Sequence, residues 1–517
     1  MNIDDDEIEE FKPHPYGVRP NGNYYFDSLN IDFCDTRKLG LGYFSVLDDH
    51  LILQEIFEYF NEYELTKVIN RISKAFYILV QEEEQWKMRT IEKFRDDKDF
   101  RFKHNWQFTF KFNSNRGFSV IPEPIHLRYY YSDYLFHIWR CTSIDLKRFE
   151  NGDSIDRRSN LSFEEFRDEY LIPNRPVIIT DGMKNWNAKQ WTRESFIEKC
   201  GKVPLYINAG IFMTADRFLD YSKEYQEEMP MYLFDHYYGE RIPEILNDYS
   251  PLETYFKDDF FEVLGESRPS FRWLLAGPER SGASFHLDPN HTSAFNAVVT
   301  GRKKWVMYPP HVTPPGVSPS NDGLEVTAPS SIIEWFINFY EQPTNESKKT
   351  KNKKNLINRK SNSKKQPEYD LENDTYENVK PLEGILHAGE LIFVPSGWWH
   401  SVLNLEESIA ITHNFVDRYN LLRVIEFLKT KKKKDLYHEF TTKFESKYPG
   451  LIQQLEAEQD ERIQKKQESQ KHFKKTSLWE TVTSSNTPST LNNPTTTNTN
   501  SFSFSFSFST NDELETQ

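Results

Sequence analysis

The sequence predicts a mainly β protein: a sandwich or jelly-roll core with flanking helices, preceded by a small all-α unit. Three observations carry this. Between about residues 142 and 419 the chain holds many short apolar or alternating runs separated by turn signals, the pattern of antiparallel strands in a two-layered or closed β architecture. Ahead of them, from Leu51 to Leu79, apolar residues recur at helical spacing. The segments that interrupt and follow the strands are polar stretches with too few apolar residues to join a core.

Taken in order, residues 1–40 are polar and rich in Asp, Asn and Pro, and read as an irregular lead-in. Leu51, Leu53, Ile56, Phe57 and Phe60 form one helical set, Asn61 and Glu62 break it, and Leu65, Val68, Ile69, Ile72, Phe76 and Leu79 form a second. Trp86 closes this helical unit, 41–88. Residues 89–141, with Trp106, Phe108, Phe110 and Phe112 alternating, read as a connector made of strands or a packed extension. A domain spanning 142–430 follows. It opens with a helix at 161–170 and a buried strand at 176–180. Strands then fall at 271–276, 294–299, 303–308, 391–394, 398–403 and 408–415, punctuated by Thr300-Gly301, Pro395-Ser396-Gly397 and Asn404-Leu405-Glu406 turns. One helix, 331–340, interrupts them, and after it residues 342–378 read as a disordered basic insertion. Helical spacing returns at Leu421, Leu422, Val424, Ile425, Phe427 and Leu428, and charged helices at 431–475 offer a surface for homodimerisation. The Ser/Thr/Asn-rich tail 476–517 ends in alternating Phe and Ser, a compositionally disordered segment.

Composition narrows the function classes. Only three cysteines occur, widely spaced and without a CxxC pair, so neither a disulfide framework nor a zinc-cysteine cluster is expected. No apolar run approaches the roughly 20 residues that span a bilayer, and the acidic N-terminus does not read as a secretion signal. A net charge of −15 disfavours general nucleic-acid binding and suits a basic peptide partner. Against that background the run from Lys348 to Lys365 is densely basic, either a solvated loop or a nuclear-import or nucleic-acid contact; the expected location is the nucleus, with the cytoplasm as a second compartment.

The chemistry lies in two stretches. In Ser284-Phe-His-Leu-Asp-Pro, His286 and Asp288 stand two apart in a strand-forming context, so both side chains leave one face of the sheet and can share a metal. His400 ends the run from Gly389 through Pro395-Ser-Gly-Trp-Trp, where a strand, a tight turn and a returning strand bring it inward. Two histidines and one carboxylate form a facial triad. Three positions stay open on the metal, which suits non-haem iron(II) ahead of zinc. The alternative is that both histidines are core residues satisfied by backbone groups.

The run from Ser284 to Trp305, with 389–415, resembles the JmjC oxygenases near the bifunctional arginine demethylase and lysyl hydroxylase, over roughly 142–419. The helical segment 41–88 resembles an F-box, although Val46-Leu47-Asp48 replaces its usual Leu-Pro opening. The first resemblance implies a double-stranded β-helix of cupin type, with iron(II), 2-oxoglutarate as cosubstrate and dioxygen. It implies that Lys303 binds the distal carboxylate of the cosubstrate, with Thr412, Asn296 and Tyr232 beside it. It implies hydroxylation of a protein side chain, lysyl hydroxylation ahead of arginine demethylation, with lysine N-demethylation as a further form of the same chemistry. The second implies an adaptor of the Skp type docking on 41–88 and, as an alternative function, a ubiquitin-ligase substrate receptor using the JmjC fold as a binding module. The chain departs from the family pattern at Ala283, His291 and His413, where a threonine, a glycine and a glutamine are usual.

Overall fold

The computed structural model describes residues 13–465 apart from 98, 116–120, 209, 226, 250–254, 321–324, 341–378 and 431–432. The predicted insertion at 342–378 and the tail from 476 lie outside the described residues. The described residues fall into two units, 13–452 and the helical 453–465.

Two sheets build the core. The strands, in chain order, are β1 (Asp156–Arg158), β2 (Val177–Ile179), β3 (Leu205–Ile207), β4 (Ile211–Met213), β5 (Leu233–Asp235), β6 (Arg272–Gly277) and β7 (Gly282–His286). They continue as β8 (Ser293–Thr300), β9 (Arg302–Tyr308), β10 (Leu382–His387), β11 (Leu391–Val394), β12 (Trp399–Asn404) and β13 (Ser408–Phe415). The larger sheet runs β1-β2-β11-β8-β13-β6-β5-β3-β4, and the smaller runs β10-β9-β12-β7. Consecutive strands β8 and β9 belong to different sheets, and the chain crosses at Gly301 with φ +80°, where a Cβ would strike the backbone carbonyl of Glu407.

Residue parity sorts each strand between two environments. In β8, Phe295, Ala297 and Val299 pack outward into a large apolar cluster, while Ala294 and Val298 face the opposing sheet. In β13, Ile409, Ile411 and Phe415 point outward and Ala410 inward. In β9, Trp305 and Met307 point inward, and Val306 and Tyr308 outward. The strands read from the sequence recur within one or two residues, because this alternation and the turn residues between runs are local signals.

The N-terminal part departs from expectation in two places. Described lead-in residues are not irregular: Tyr24–Ser28 and Thr36–Leu41 are helical, and Val18–Arg19 pairs in parallel with Tyr130–Tyr131. Aromatic contacts hold this segment, with Phe33 5.2 Å from both Tyr24 and Tyr129. Of the two forms open for 89–141, strands or a packed extension, the described residues take the second, with Tyr130–Tyr131 as their short strand. Helix α1 (Glu83–Phe94), which carries the fully buried Trp86, runs past the expected boundary at 88, α2 (Trp106–Asn115) follows, and α3 (Asp133–Ser143) completes the segment. The alternating aromatic run is two interleaved i,i+4 pairs: Trp106 and Phe110 are buried, while Phe108 and Phe112 stack on each other. Trp86, Trp106 and Phe110 belong to the same apolar cluster as Phe218 and Tyr221.

After the core, a short helix α4 (Ile332–Trp335) precedes the undescribed stretch, and α5 (Leu421–Leu428) and α6 (Lys434–Lys447) follow β13. Their apolar faces pack within the chain: Phe440 and Phe444 meet Phe261 and Phe260 at 4.9 and 5.1 Å between ring centroids.

Candidate metal centre

His286, the last residue of β7, and His400 in β12 are cross-strand partners, with ring centroids 4.2 Å apart. Asp288 lies beyond the strand rather than in it. Pro289 cannot continue the ladder, yet Asp288 stays extended (φ −58°, ψ 142°), so its carboxylate remains beside the two rings. The ligating atoms of His286, Asp288 and His400 all lie within 4.8 Å of one another.

Backbone carbonyls fix both imidazoles. Nδ1 of His286 is 2.7 Å from the carbonyl oxygen of Ser284, and Nδ1 of His400 is 3.0 Å from that of Trp398. A carbonyl only accepts, so each Nδ1 carries a proton, which leaves Nε2 of each ring as the nitrogen that can bind a metal. Burial, with His286 nearby, holds His400 well below the ordinary imidazole range and therefore neutral. Burial pushes the Asp288 carboxyl above the usual carboxylate range, and His286 and Asn414 pull it back. Asn414 Nδ2 donates to Asp288 Oδ1 at 3.1 Å and to Thr292 Oγ1 at 2.8 Å.

Among the buried polar atoms without a hydrogen-bond partner in the described residues are Asp288 Oδ2, Asn296 Oδ1 and Trp305 Nε1. An unmatched buried polar atom costs about 1–3 kcal/mol. Asp288 Oδ2 beside the Nε2 atoms of two imidazoles is the donor set that a divalent cation satisfies, so the residues present fit iron(II). The Trp305 indole stacks on His400, with centroids 5.7 Å apart and planes at 23°.

The residues assigned by resemblance fall on the inner face. Asn296 and Thr412 are register partners on β8 and β13. Lys303 is buried, and its ammonium donates to the Tyr232 hydroxyl at 3.0 Å. Burial pushes Lys303 down to about 7. Parity decides between the two adjacent lysines: Lys304 faces out and pairs with Glu383 at 2.7 Å. Thr412 Oγ1 donates to the Phe295 carbonyl at 2.7 Å and must rotate to donate elsewhere. Tyr232 sits against Gly277, where any Cβ would collide with its ring.

Asn414 and Trp305 were not picked out from the sequence. Both carry a signal in retrospect, since each is two residues from a pocket residue on the same strand face. The departures resolve differently. His413 faces away from the metal cluster, 3.2 Å from the Tyr249 hydroxyl, and burial pushes it down to about 3. His291 adopts φ 54°, a left-handed conformation that suits the glycine usual in the family, and its ring stacks on Phe427 at 4.5 Å.

Fold and site together define a cupin barrel with a two-histidine, one-carboxylate metal centre. Residues 163–421 match the family model described as a cupin-like domain. The chain is 38% identical over 461 residues to an arginine-specific demethylase, JMJ22 of Arabidopsis thaliana, covering 86% of this chain and 84% of that protein. It is 33% identical to the bifunctional arginine demethylase and lysyl-hydroxylase psr-1 of Caenorhabditis elegans, over 52% of this chain and 63% of that one. It is 26% identical to the 2-oxoglutarate and iron-dependent oxygenase JMJD4 of Gallus gallus, over 52% of this chain and 61% of that one. The chain belongs to the cupin-like family, in its JmjC branch.

Proposed function

We propose that this protein is an iron(II)- and 2-oxoglutarate-dependent oxygenase that hydroxylates protein side chains, removing N-methyl groups from arginine or hydroxylating lysine. One observation carries the cosubstrate assignment: an ammonium, Lys303, is buried on the inner strand face that also carries Trp305, which stacks on His400, with the Tyr232 hydroxyl as its hydrogen-bond acceptor and no acidic side chain among the described residues shifting its charge. A buried cation calls for an anion, and a dicarboxylate with one end on the metal supplies it. His286 Nε2, an oxygen of Asp288 and His400 Nε2 would hold the iron, which when bound couples decarboxylation of 2-oxoglutarate to activation of dioxygen. Lys303 and Tyr232 bind and orient the distal carboxylate, and the Asn296 side-chain oxygen is left to accept from a ligand donor. Asn414 keeps the Asp288 carboxylate aimed. Trp273, Trp305 and Trp398 line the inner apolar cluster and exclude water. On an N-methyl carbon the hydroxylated product collapses to formaldehyde; on a lysine carbon it persists. The relative matched over most of both chains is named an arginine demethylase, which moves demethylation ahead of lysyl hydroxylation.

The test is succinate formation from 2-oxoglutarate with added iron(II) in air, comparing the protein with a His286→Ala, Asp288→Ala double variant. Mass spectrometry of arginine- and lysine-containing peptides follows. Turnover that survives the double substitution would sink the assignment.

A second reading concerns partners. Tyr43, Val46, Tyr59 and Tyr63, all in or near the helical unit 41–88, are large apolar side chains exposed to solvent. This favours a docked adaptor of the Skp type, which a pull-down with the recombinant adaptor, weakened by Tyr43→Ser and Tyr59→Ser, would test. Homodimerisation through the C-terminal helices has less support, since α5 and α6 bury their apolar faces within the chain. Nuclear location is tested by imaging a tagged protein with and without its basic run.

A further inference from the structure

A second cluster of metal-ligating side chains lies between the N-terminal helices and the barrel, apart from the facial triad. His137 and Cys141 stand i,i+4 on α3, so one face of the helix presents both. Glu228, in the segment leading to Tyr232, faces them, and the ligating atoms of all three lie within 4.8 Å of one another. His137 Nε2 is 3.2 Å from Glu228 Oε1 and 3.7 Å from Cys141 Sγ. Glu334 on α4 approaches the same imidazole nitrogen at 4.0 Å. With metal bonds of ~2.0–2.3 Å, a tetrahedral zinc sets its ligand atoms about 3.3–3.8 Å apart. The observed separations bracket those edges. The cluster also opens on a cavity of about 900 Å³ lined by His137, Glu228 and Glu334, which gives an ion a way in.

We propose that His137, Cys141 and Glu228 form a second metal site that takes zinc, with Glu334 at its edge 4.0 Å from His137. One thiolate, one imidazole and one carboxylate give a mixed soft and borderline donor set, which suits zinc and disfavours magnesium or calcium. Without a cation the cluster is a hydrogen-bonded group in which Glu228 raises His137 and burial raises the Cys141 thiol. A bound cation reverses the second effect, because a coordinating thiol is deprotonated. The role is structural. The ion would tie α3 to the segment that, four residues beyond Glu228, delivers Tyr232 to Lys303. Ser331, the N-cap of α4, already donates to Glu228 at 2.7 Å and orients that carboxylate.

Cobalt(II) added to the full-length protein separates this site from the triad, which contains no sulfur. A near-ultraviolet thiolate-to-cobalt charge-transfer band is expected, retained in the His286→Ala, Asp288→Ala variant and in Cys34→Ser, and lost in Cys141→Ser. His137→Gln should weaken cobalt binding by more than the ~10-fold that outer-sphere partners cost. No band in the unsubstituted protein, or one that persists in a folded Cys141→Ser variant, overturns the proposal. Should Cys141→Ser fail to fold, the band in the unsubstituted protein and its weakening by His137→Gln decide the matter.

Discussion

Replacing Lys303 by Met should weaken the cosubstrate and strengthen the fold. The lysine is 1% exposed, and burial brings it from 10.5 to about 7. At ~1.4 kcal/mol per pH unit, that gap is on the order of 5 kcal/mol of charge burial. An unfolded lysine keeps its proton to about pH 10.4, whereas the folded one releases it near 7. The penalty is therefore full at and below pH 7 and fades as pH climbs toward 10. Lys303→Met should raise the melting temperature most at pH 6 and least at pH 10. For binding the sign is opposite. Removing one partner of a buried ion pair costs about 3–5 kcal/mol, a rise of about 10²- to nearly 10⁴-fold in the 2-oxoglutarate Kd. Binding to the unsubstituted protein should also take up a proton above pH 7 and weaken up to about tenfold per pH unit there. Calorimetric titration of 2-oxoglutarate into the manganese(II)-loaded protein, in two buffers of different ionisation enthalpy, reads both. An unchanged Kd, or a variant less stable at pH 6, would refute the account of Lys303 as a desolvated cation awaiting an anion.

Other substitutions probe the surroundings. Asn414→Ala releases the Asp288 carboxylate and should lower iron(II) affinity about 10- to 100-fold with little change in fold; equal affinity in a metal titration would remove Asn414 from the site. Gly277→Ala drives a methyl into the Tyr232 ring, and should cost about 1–3 kcal/mol in denaturant unfolding and raise the 2-oxoglutarate KM; a KM that stays put would mean Tyr232 does not position the carboxylate. Glu82, capping α1 through the Glu84 and Gln85 amides, is pushed up to about 7 by burial. Its stabilisation is full below the unfolded value near pH 4.3 and is lost as pH rises through 7. Glu82→Gln should flatten the fall of melting temperature between pH 5 and 8, and a slope identical to the parent's would exclude Glu82 as its source.

The barrel was legible because its signals are local. Strand parity placed His286 and His400, and turn residues marked where the strands end. The resemblance then supplied Lys303, which spacing alone leaves indistinguishable from Lys304; only the sheet register puts one inside and one against Glu383. Asp288 was placed on the correct side for a partly wrong reason, since the strand ends before it and Pro289 holds the extended turn. The misread segment was 106–115, where two i,i+4 aromatic pairs imitate strand alternation. Nothing local separates these patterns, because what settles them is the neighbouring wall formed by Phe102 and Tyr221. The His137, Cys141, Glu228 cluster was invisible for a related reason: its members lie 87 positions apart between Cys141 and Glu228, and only folding brings them together.

Lys87 on α1 reaches Glu227 at 2.5 Å and the Met229 carbonyl at 3.1 Å, and Trp106 donates to Glu227 at 3.1 Å. The N-terminal helices are thus a buttress, not a trailer: they brace from outside the short stretch that carries Tyr232 inside. Shearing them off would bare Phe218 and Tyr221 and leave that stretch unsupported. The exposed face of the helical unit and the stretch that carries Tyr232 therefore belong to one packed body, joined where Lys87 holds Glu227, five residues before Tyr232.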